Sequence, residues 1–447
     1  MSIPRVPVLS AVFPEESGDD ISMFFLIRTV YRKLSRILPV FMVLALFSPG
    51  TAQASGFRIA NQSLGAVGIS GALVASTRGA DASYYNPANM SCTPDQWQLE
   101  TSLTLLHLPK ITYTDTRSGL FAGISDDELF FLPLVHVVSE EFDRLRFGFS
   151  LTYPYGLSKQ WDQMYPKAFA KEFSLLTVEA NPTFAIALTD WLSVGGGLRF
   201  VHGRGRVKNE IPPGDVPFSV ERSSKGSDTG LGYNLGLSVR PAGEWTVAAT
   251  YRSRVELDLE GVTEMTTTAG MFEPYSGRGA VPINLPAVLS LATSYTWDRL
   301  TAEIGWERTF WSSFEDLRFV FQPAMTLPYT VFDGVLQKHW GDADAYRLGF
   351  SYVWNDAWTS TFGVSYERTP VPSATLGFEL PDSDAMVYSV GLRFRSSPGF
   401  QYGVSYMYYR TRTRSIDVAV DGNLSGISGR FTDGGAHALT FGLIVTF

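Results

Sequence analysis

The chain has one cysteine, Cys92, so no internal disulfide can form. Cys92 is also remote from any N-terminal export signal, which rules out a lipoprotein anchor. Charged residues make up only 18% of the chain and the formal net charge is −8. Binding phosphates needs a basic surface, so nucleic acid is excluded as a partner. Histidine is scarce too. His107, His136, His202, His339 and His437 are scattered, with no HExxH pattern and no GxSxG serine motif. The residues therefore point to no enzyme, no metal and no cofactor. A surface lipase built on His136 or His437 is the enzymatic alternative. Beyond residue 54 no uncharged apolar run reaches the roughly 18 residues of a membrane-spanning helix.

One apolar run lies near the start. Arg28, Arg32, Lys33 and Arg36 precede Ile37 to Phe47, and Ala52-Gln53-Ala54 follows. Basic n-region, short apolar core and small residues at the cleavage positions are the pattern of a signal peptide. Eleven residues make about 16 Å of helix, short of a hydrocarbon core of about 30 Å. Residues 1–54 are read as signal peptide, and 1–22, which are polar and acidic, as an extension before a true start at Met23. The mature chain then begins at Ser55. Residues 55–96 are Gly- and Ala-rich and follow no clean period.

From Trp97 to Phe447 a period of two dominates. Leu439, Phe441, Leu443, Val445 and Phe447 share one face, with Ala438, Thr440, Gly442, Ile444 and Thr446 on the other. Tyr346, Leu348, Phe350, Tyr352 and Trp354 repeat the pattern against Ala345, Arg347, Gly349, Ser351 and Val353. A soluble β-sandwich also alternates. Here, however, the apolar face runs for about five outward positions, the length of a tilted membrane strand. The opposite face carries Gly, Ser, Thr and Arg, and aromatics gather at the strand ends. Fourteen such segments are found between residues 97 and 447, joined alternately by short and long connections. Long ones cover 108–128, 155–172, 209–227, 261–283, 312–342, 370–384 and 417–434. The fold class is all-β: a 14-stranded antiparallel transmembrane β-barrel, closed because no backbone group can stay unpaired in lipid.

Arg146, Arg199, Glu303, Glu307, Arg347, Glu367 and Arg393 fall on the lumen side. They suit either a polar channel or, as favoured here, an ion-pair network packed around a plug made of residues 55–96. Arg204, Arg206 and Lys208 alternate outward at the end of one strand, at the height of lipopolysaccharide phosphates. Tyr153-Pro154-Tyr155-Gly156 ends the third strand. Proline lacks the ladder N–H and glycine allows a bend, so a loop start and a break in the wall are both open there.

Together these residues resemble the FadL-type outer-membrane transporters of long-chain fatty acids and hydrocarbons. Ser55-Gly56-Phe57 resembles the family's mature N-terminus and Asn86-Pro87-Ala88 its hatch motif. Ile283-Asn284-Leu285-Pro286, Gln337-Lys338-His339 with Asp344-Ala345-Tyr346-Arg347, Pro370-Val371-Pro372 and Leu380-Pro381-Asp382 follow in the family's order. The resemblance implies that 55–96 is a hatch inside a barrel of residues 97–447. It implies adsorption between loops 209–227 and 261–283, then a pocket touched by Phe57. It implies a lateral opening at the Tyr153, Pro154, Tyr155, Gly156 kink. Lys338 falls where the family has a carboxylate-contacting lysine. The family's partner arginine is unmatched: Asn209 stands in its place, with Lys208 beside it, which keeps a neutral hydrocarbon as a second substrate. The expected function is passive uptake of hydrophobic molecules, long-chain fatty acids first, at the outer membrane. An aromatic or aliphatic hydrocarbon channel, or a general porin or structural barrel, is the alternative. Expected partners are the substrate, lipopolysaccharide and the barrel-assembly machinery.

Overall fold

Alternation over ten-residue segments can satisfy its backbone in lipid only by pairing neighbour to neighbour around a ring, and the computed structural model shows that ring. It describes residues 56–447 except 215–216. The proposed signal peptide and the early extension lie outside the described residues. The wall strands are β1 (Gln98–Leu108), β2 (Glu128–Val138), β3 (Leu145–Thr152, resuming at Gly156–Gln160), β4 (Glu172–Ala187), β5 (Leu192–Ile211) and β6 (Val220–Ala242). β7 runs over Trp245–Arg252 and Val255–Thr267, and β8 over Tyr275–Leu285 and Val288–Trp297. β9 (Leu300–Thr309), β10 (Ala343–Val353), β11 (Trp358–Glu367), β12 (Ala385–Ser397), β13 (Phe400–Thr411) and β14 (Gly435–Thr446) complete the wall. Each pairs antiparallel with the next. β14 pairs with β1 from Gln98↔Thr446 to His107↔His437, which closes the 14-stranded barrel.

Two expected loops turn out to be strand. Residues 261–283 are mostly the continuation of β7 and β8, paired from Val255↔Leu285 to Met265↔Tyr275. β6 likewise starts at Val220, well inside the expected 209–227 loop. The outward parts of these strands carry polar residues, so the apolar alternation that marks a bilayer strand fades while the hydrogen-bond ladder goes on. The adsorption site placed between loops 209–227 and 261–283 therefore falls largely on paired strand. Parts of loops 108–128 and 417–434, together with Arg414–Ile416 just before the second loop, form a four-stranded sheet above the barrel: Thr112–Asp115, Gly123–Ile124, Arg414–Ile416 and Gly429–Thr432.

Outward positions form an apolar belt, including Leu198 and Phe200 on β5, Leu231, Tyr233, Leu235 and Leu237 on β6, and Phe441 on β14, all exposed. In water such a surface would drive association; in a bilayer it is the surface that lipid wets. Inside the ring lie residues 57–90, nearly all buried. Glycines on the wall receive them. Gly195 and Gly236 face each other in register. A Cβ at Gly195 would lie 2.6 Å from Ala88 N, and one at Gly236 2.4 Å from Asn86 Oδ1. Asn86, Pro87 and Ala88 thus sit in a notch that only glycine can leave open. The Asn86 side chain also donates to Val74 O and accepts from Ala88 N, both at 3.1 Å.

Candidate functional site: the hatch terminus and the side window

The wall is incomplete at one place, and the chain chemistry explains where. β2 pairs with β1 along its whole length. With β3 it pairs only from Val135↔Leu151 to Val138↔Gly148. Beyond Thr152 the third strand leaves that ladder. Pro154 has no N–H to give, and the chain turns into the lumen. It resumes at Gly156–Gln160 paired with β4 alone, Gly156↔Leu176 to Gln160↔Glu172. Residues 128–134 of β2 and 153–160 therefore border a window. Its bottom is the β2–β3 ladder. Its top is closed by a bridge between Ser125 and Trp161 and by Asp126 N–H donating to Gln160 O at 3.0 Å.

The hatch terminus takes up the hydrogen bonds that the kink gives away. Ile59 N–H donates to Pro154 O (2.8 Å) and Gly156 N–H to Phe57 O (3.0 Å). Gln62 accepts from Tyr153 N–H at 2.7 Å and donates to Tyr153 O at 2.9 Å. Of the residues expected at the opening, Tyr153, Pro154 and Gly156 bind the hatch through their backbones. Tyr155 is buried, and its hydroxyl crosses to Pro286 O at 2.9 Å.

Three consecutive hatch residues are each anchored differently. Gly56 N–H donates to Asp382 Oδ2 at 3.2 Å, an oxygen that also accepts from Thr369 Oγ1. Burial pushes the Asp382 carboxyl up to about 7, against the pull of those two hydrogen bonds. Phe57 sits in an aromatic cage, its ring centroid 4.6 Å from Trp311, 5.6 Å from Phe314, 5.7 Å from Trp340 and 6.1 Å from Tyr155. Arg58 makes two bonds to Glu307, 2.5 and 3.0 Å. Glu307 also accepts from Arg347, which pairs with Glu367. Deeper in the plug, Glu303 accepts the N–H groups of Val74, Ala75 and Ser76 at 2.6, 3.1 and 2.6 Å. Glu179 holds Arg199 and Arg252, and Arg252 lies over the Tyr84 ring at 4.2 Å. Around residues 57–90, Arg58, Glu307, Arg347 and Glu367 make one chain of ion pairs and Glu179, Arg199 and Arg252 another, while Glu303 is held by backbone N–H groups.

A cavity of about 840 Å³ lies at the window. Its lining includes Gly56, Arg58 and Asn61 of the hatch, Phe130 and Leu132 of β2, and Gly156, Leu157 and Lys159 beyond the kink. It also includes Leu176, Arg204 and Arg206, which point outward on β4 and β5. A smaller apolar pocket lies beside Phe57, between Leu175, Val207, Ile283, Phe314 and Phe319.

The two expected cationic contacts are both ion-paired. Lys338 is buried and its Nζ is bonded by Glu379, so its charge is already matched. Lys208 points outward and pairs with Glu172 at 2.7 Å, so it does not join Phe57 in one pocket. Asn209 is inward and holds Arg222 at 2.5 Å, while that guanidinium lies over the rings of Phe319 (4.5 Å) and Phe332 (5.0 Å). Sequence reading missed Trp311, Trp340 and Arg222. The alternation signal stops at the loops and says nothing about which loop aromatics meet.

Residues 45–447 match the family described as outer membrane protein transport protein (OMPP1/FadL/TodX). The chain belongs to this family. It is 26% identical over 321 residues to the long-chain fatty acid transport protein of Escherichia coli K12, covering 62% of this chain and 70% of that protein. Outer membrane protein P1 of Haemophilus influenzae is 22% identical over 310 residues, covering 63% and 66%. Among solved structures, a FadL homologue of Pseudomonas aeruginosa superposes with a TM-score of 0.77 at 19% identity, over 88% of this chain and all of that one (100%). The toluene transporter TodX of Pseudomonas putida gives 0.66 at 18%, over 85% and 98%. The protein is thus an outer-membrane barrel of a family that transports hydrophobic substrates. It is not an enzyme, so the lipase alternative falls.

Proposed function

We propose that the protein carries long-chain fatty acids inward without an energy source, through a pocket at Phe57 and sideways through the window between β2 and β3. One observation carries this reading. The cavity is lined by the hatch terminus, by the kinked strand and by outward-facing wall residues at once, which supports a path from lumen to wall exterior. A lateral route suits the cargo. Burying a sixteen-carbon tail yields about 12 kcal/mol at about 0.8 kcal/mol per methylene, far too much to give up to periplasmic water unaided. A route that ends in lipid keeps most of that energy. A site that tight must also loosen to let go, and the hatch terminus is the movable wall of the pocket.

Growth of a gene-deleted strand on oleate as sole carbon source is the direct test. Loss of growth, restored by the intact gene, is expected. Normal growth and normal oleate uptake in the deletion would end the fatty-acid reading. A neutral hydrocarbon is the second reading, favoured by the matched charge on Lys338. Its sign would be growth or uptake defects on an alkane or arene with oleate unaffected.

A further inference from the structure

Two buried polar atoms at the rim of the window have no hydrogen-bond partner: Lys159 Nζ and Glu128 Oε1. Lys159 is on the resumed arm of β3 and Glu128 at the outer end of β2, so they face each other across the break in the wall. Their side chains are equally buried, each 7% exposed. Nζ and Oε1 are 3.9 Å apart. That is beyond a direct hydrogen bond, which ends near 3.2 Å. Two opposite charges this deep ordinarily close to contact and fill their remaining hydrogen bonds, because a buried charge left half-satisfied is costly. Here they stop short.

The surroundings say what fits between them. Lys159 lines the 840 Å³ cavity with the apolar Leu108, Ile111, Phe130, Leu132 and Leu157 and with the polar Ser158 and Glu172. The other polar groups that bear on the pair are Ser158 and the Glu172 carboxylate beside Glu128, and the Asp126 carboxylate near both. A single oxygen that accepts from Nζ and donates a proton to Oε1 satisfies both atoms. A hydroxyl does this. An un-ionised carboxyl does it too, its C=O accepting from Lys159 and its O–H donating to Glu128. An ionised carboxylate cannot: it serves Lys159 only and sets its charge against Glu128 and Asp126.

We propose that Lys159 and Glu128 form a polar subsite in the window that takes the neutral hydroxyl or un-ionised carboxyl head of an otherwise apolar molecule. The subsite rests on the lateral passage proposed above, and among the molecules that use it favours those with a small neutral head. It would hold the head at the rim while the tail lies against the leucines of the cavity.

The test compares tritiated 1-hexadecanol and hexadecane, which share a chain and differ in the head. Uptake is measured in cells lacking their own transporter and expressing the full chain, wild type or Lys159→Met, Glu128→Gln and the double variant. The double variant removes both charges with little change in shape, so it leaves no unpaired ion behind. Folding is checked by the heat-dependent gel shift of a closed barrel. The subsite predicts that hexadecanol uptake falls by about fivefold or more in each variant, the scale of a lost hydrogen bond, while hexadecane changes by less than about twofold. Equal losses for both compounds, or no loss of hexadecanol uptake in the folded double variant, would overturn it. If the wild type carries hexadecane but shows no head-group effect, the subsite fails and the passage stands. If it carries neither above chain-free cells, the passage fails and takes the subsite with it.

Discussion

At the scale of single residues, the hatch terminus is held by charge rather than by grease alone. Glu307 sits between Arg58 and Arg347, and all three are buried. Removing one member strands its partners without compensation, a loss of about 3–5 kcal/mol at buried pairs. Arg58→Ala is therefore expected to free the hatch end without unfolding the strongly paired wall. Steady ion current through single barrels in a planar bilayer, low in the wild type and raised in the variant, checks this. Asp382 adds a pH dependence of known sign. Its carboxyl stands at about 7 in the folded chain against an ordinary value of 3.8, so between about pH 4 and 7 the native state holds a proton that the unfolded chain has lost. Stability then falls as pH rises through that window and levels off above it. Asp384, raised to about 6 by burial, adds to the same slope. Thermal midpoints measured from pH 4 to 8 should decline in the wild type and flatten in Asp382→Asn; an unchanged slope in the variant would assign the effect to Asp384.

Lys338 marks a limit of sequence reading at this scale. Its position in the motif was legible, but its charge state was not. Glu379 lies 41 residues on in a different loop, and no local pattern joins the two. If Glu379 masks the lysine, Glu379→Gln should tighten binding of ionised oleate by about tenfold, in the range of one charge-assisted bond, and leave methyl oleate unchanged. Competition between the two ligands on the purified barrel reads this directly.

At the scale of elements, the strands were legible and their ends were not. Every wall strand shows the outward apolar stripe. The upper halves of β6, β7 and β8 stand above the lipid, where nothing selects for an apolar face, so period-two hydrophobicity ends before the ladder does. The kink was foreshadowed by Tyr153-Pro154-Tyr155-Gly156, whereas the hatch backbone that mends it came only with the structure. The notch under Asn86-Pro87-Ala88 gives a test of how hatch and wall elements fit. Gly236→Ala puts a Cβ where Asn86 Oδ1 now lies and should cost about 1–3 kcal/mol, the usual penalty for overpacking. Gly243→Ala, in the open turn between β6 and β7 with nothing within 4 Å, should cost far less. Thermal unfolding of the two variants side by side gives the comparison.

At the scale of the whole molecule, the wall surrounds the plug and the loop sheet stands above, and this arrangement was half readable. A segment of about forty small residues before fourteen strands had to go somewhere, and the lumen charges named the place. The sheet above the barrel, by contrast, is built from pieces of two to four residues that no window of hydrophobicity resolves. Because the lumen is filled, the barrel is expected to pass little ion current, which separates it from a general porin. Deletion of residues 56–96 should raise conductance to that of an open barrel; a wild type already conducting like a porin would contradict the plug.

The window has a frame: ladder below, the Ser125–Trp161 bridge above, β2 on one side and the resumed arm of β3 on the other. A framed port measures its cargo by girth and is indifferent to length. Linear chains of very different size should then pass at similar rates, whereas a fused ring system of the same mass should stall at the sill.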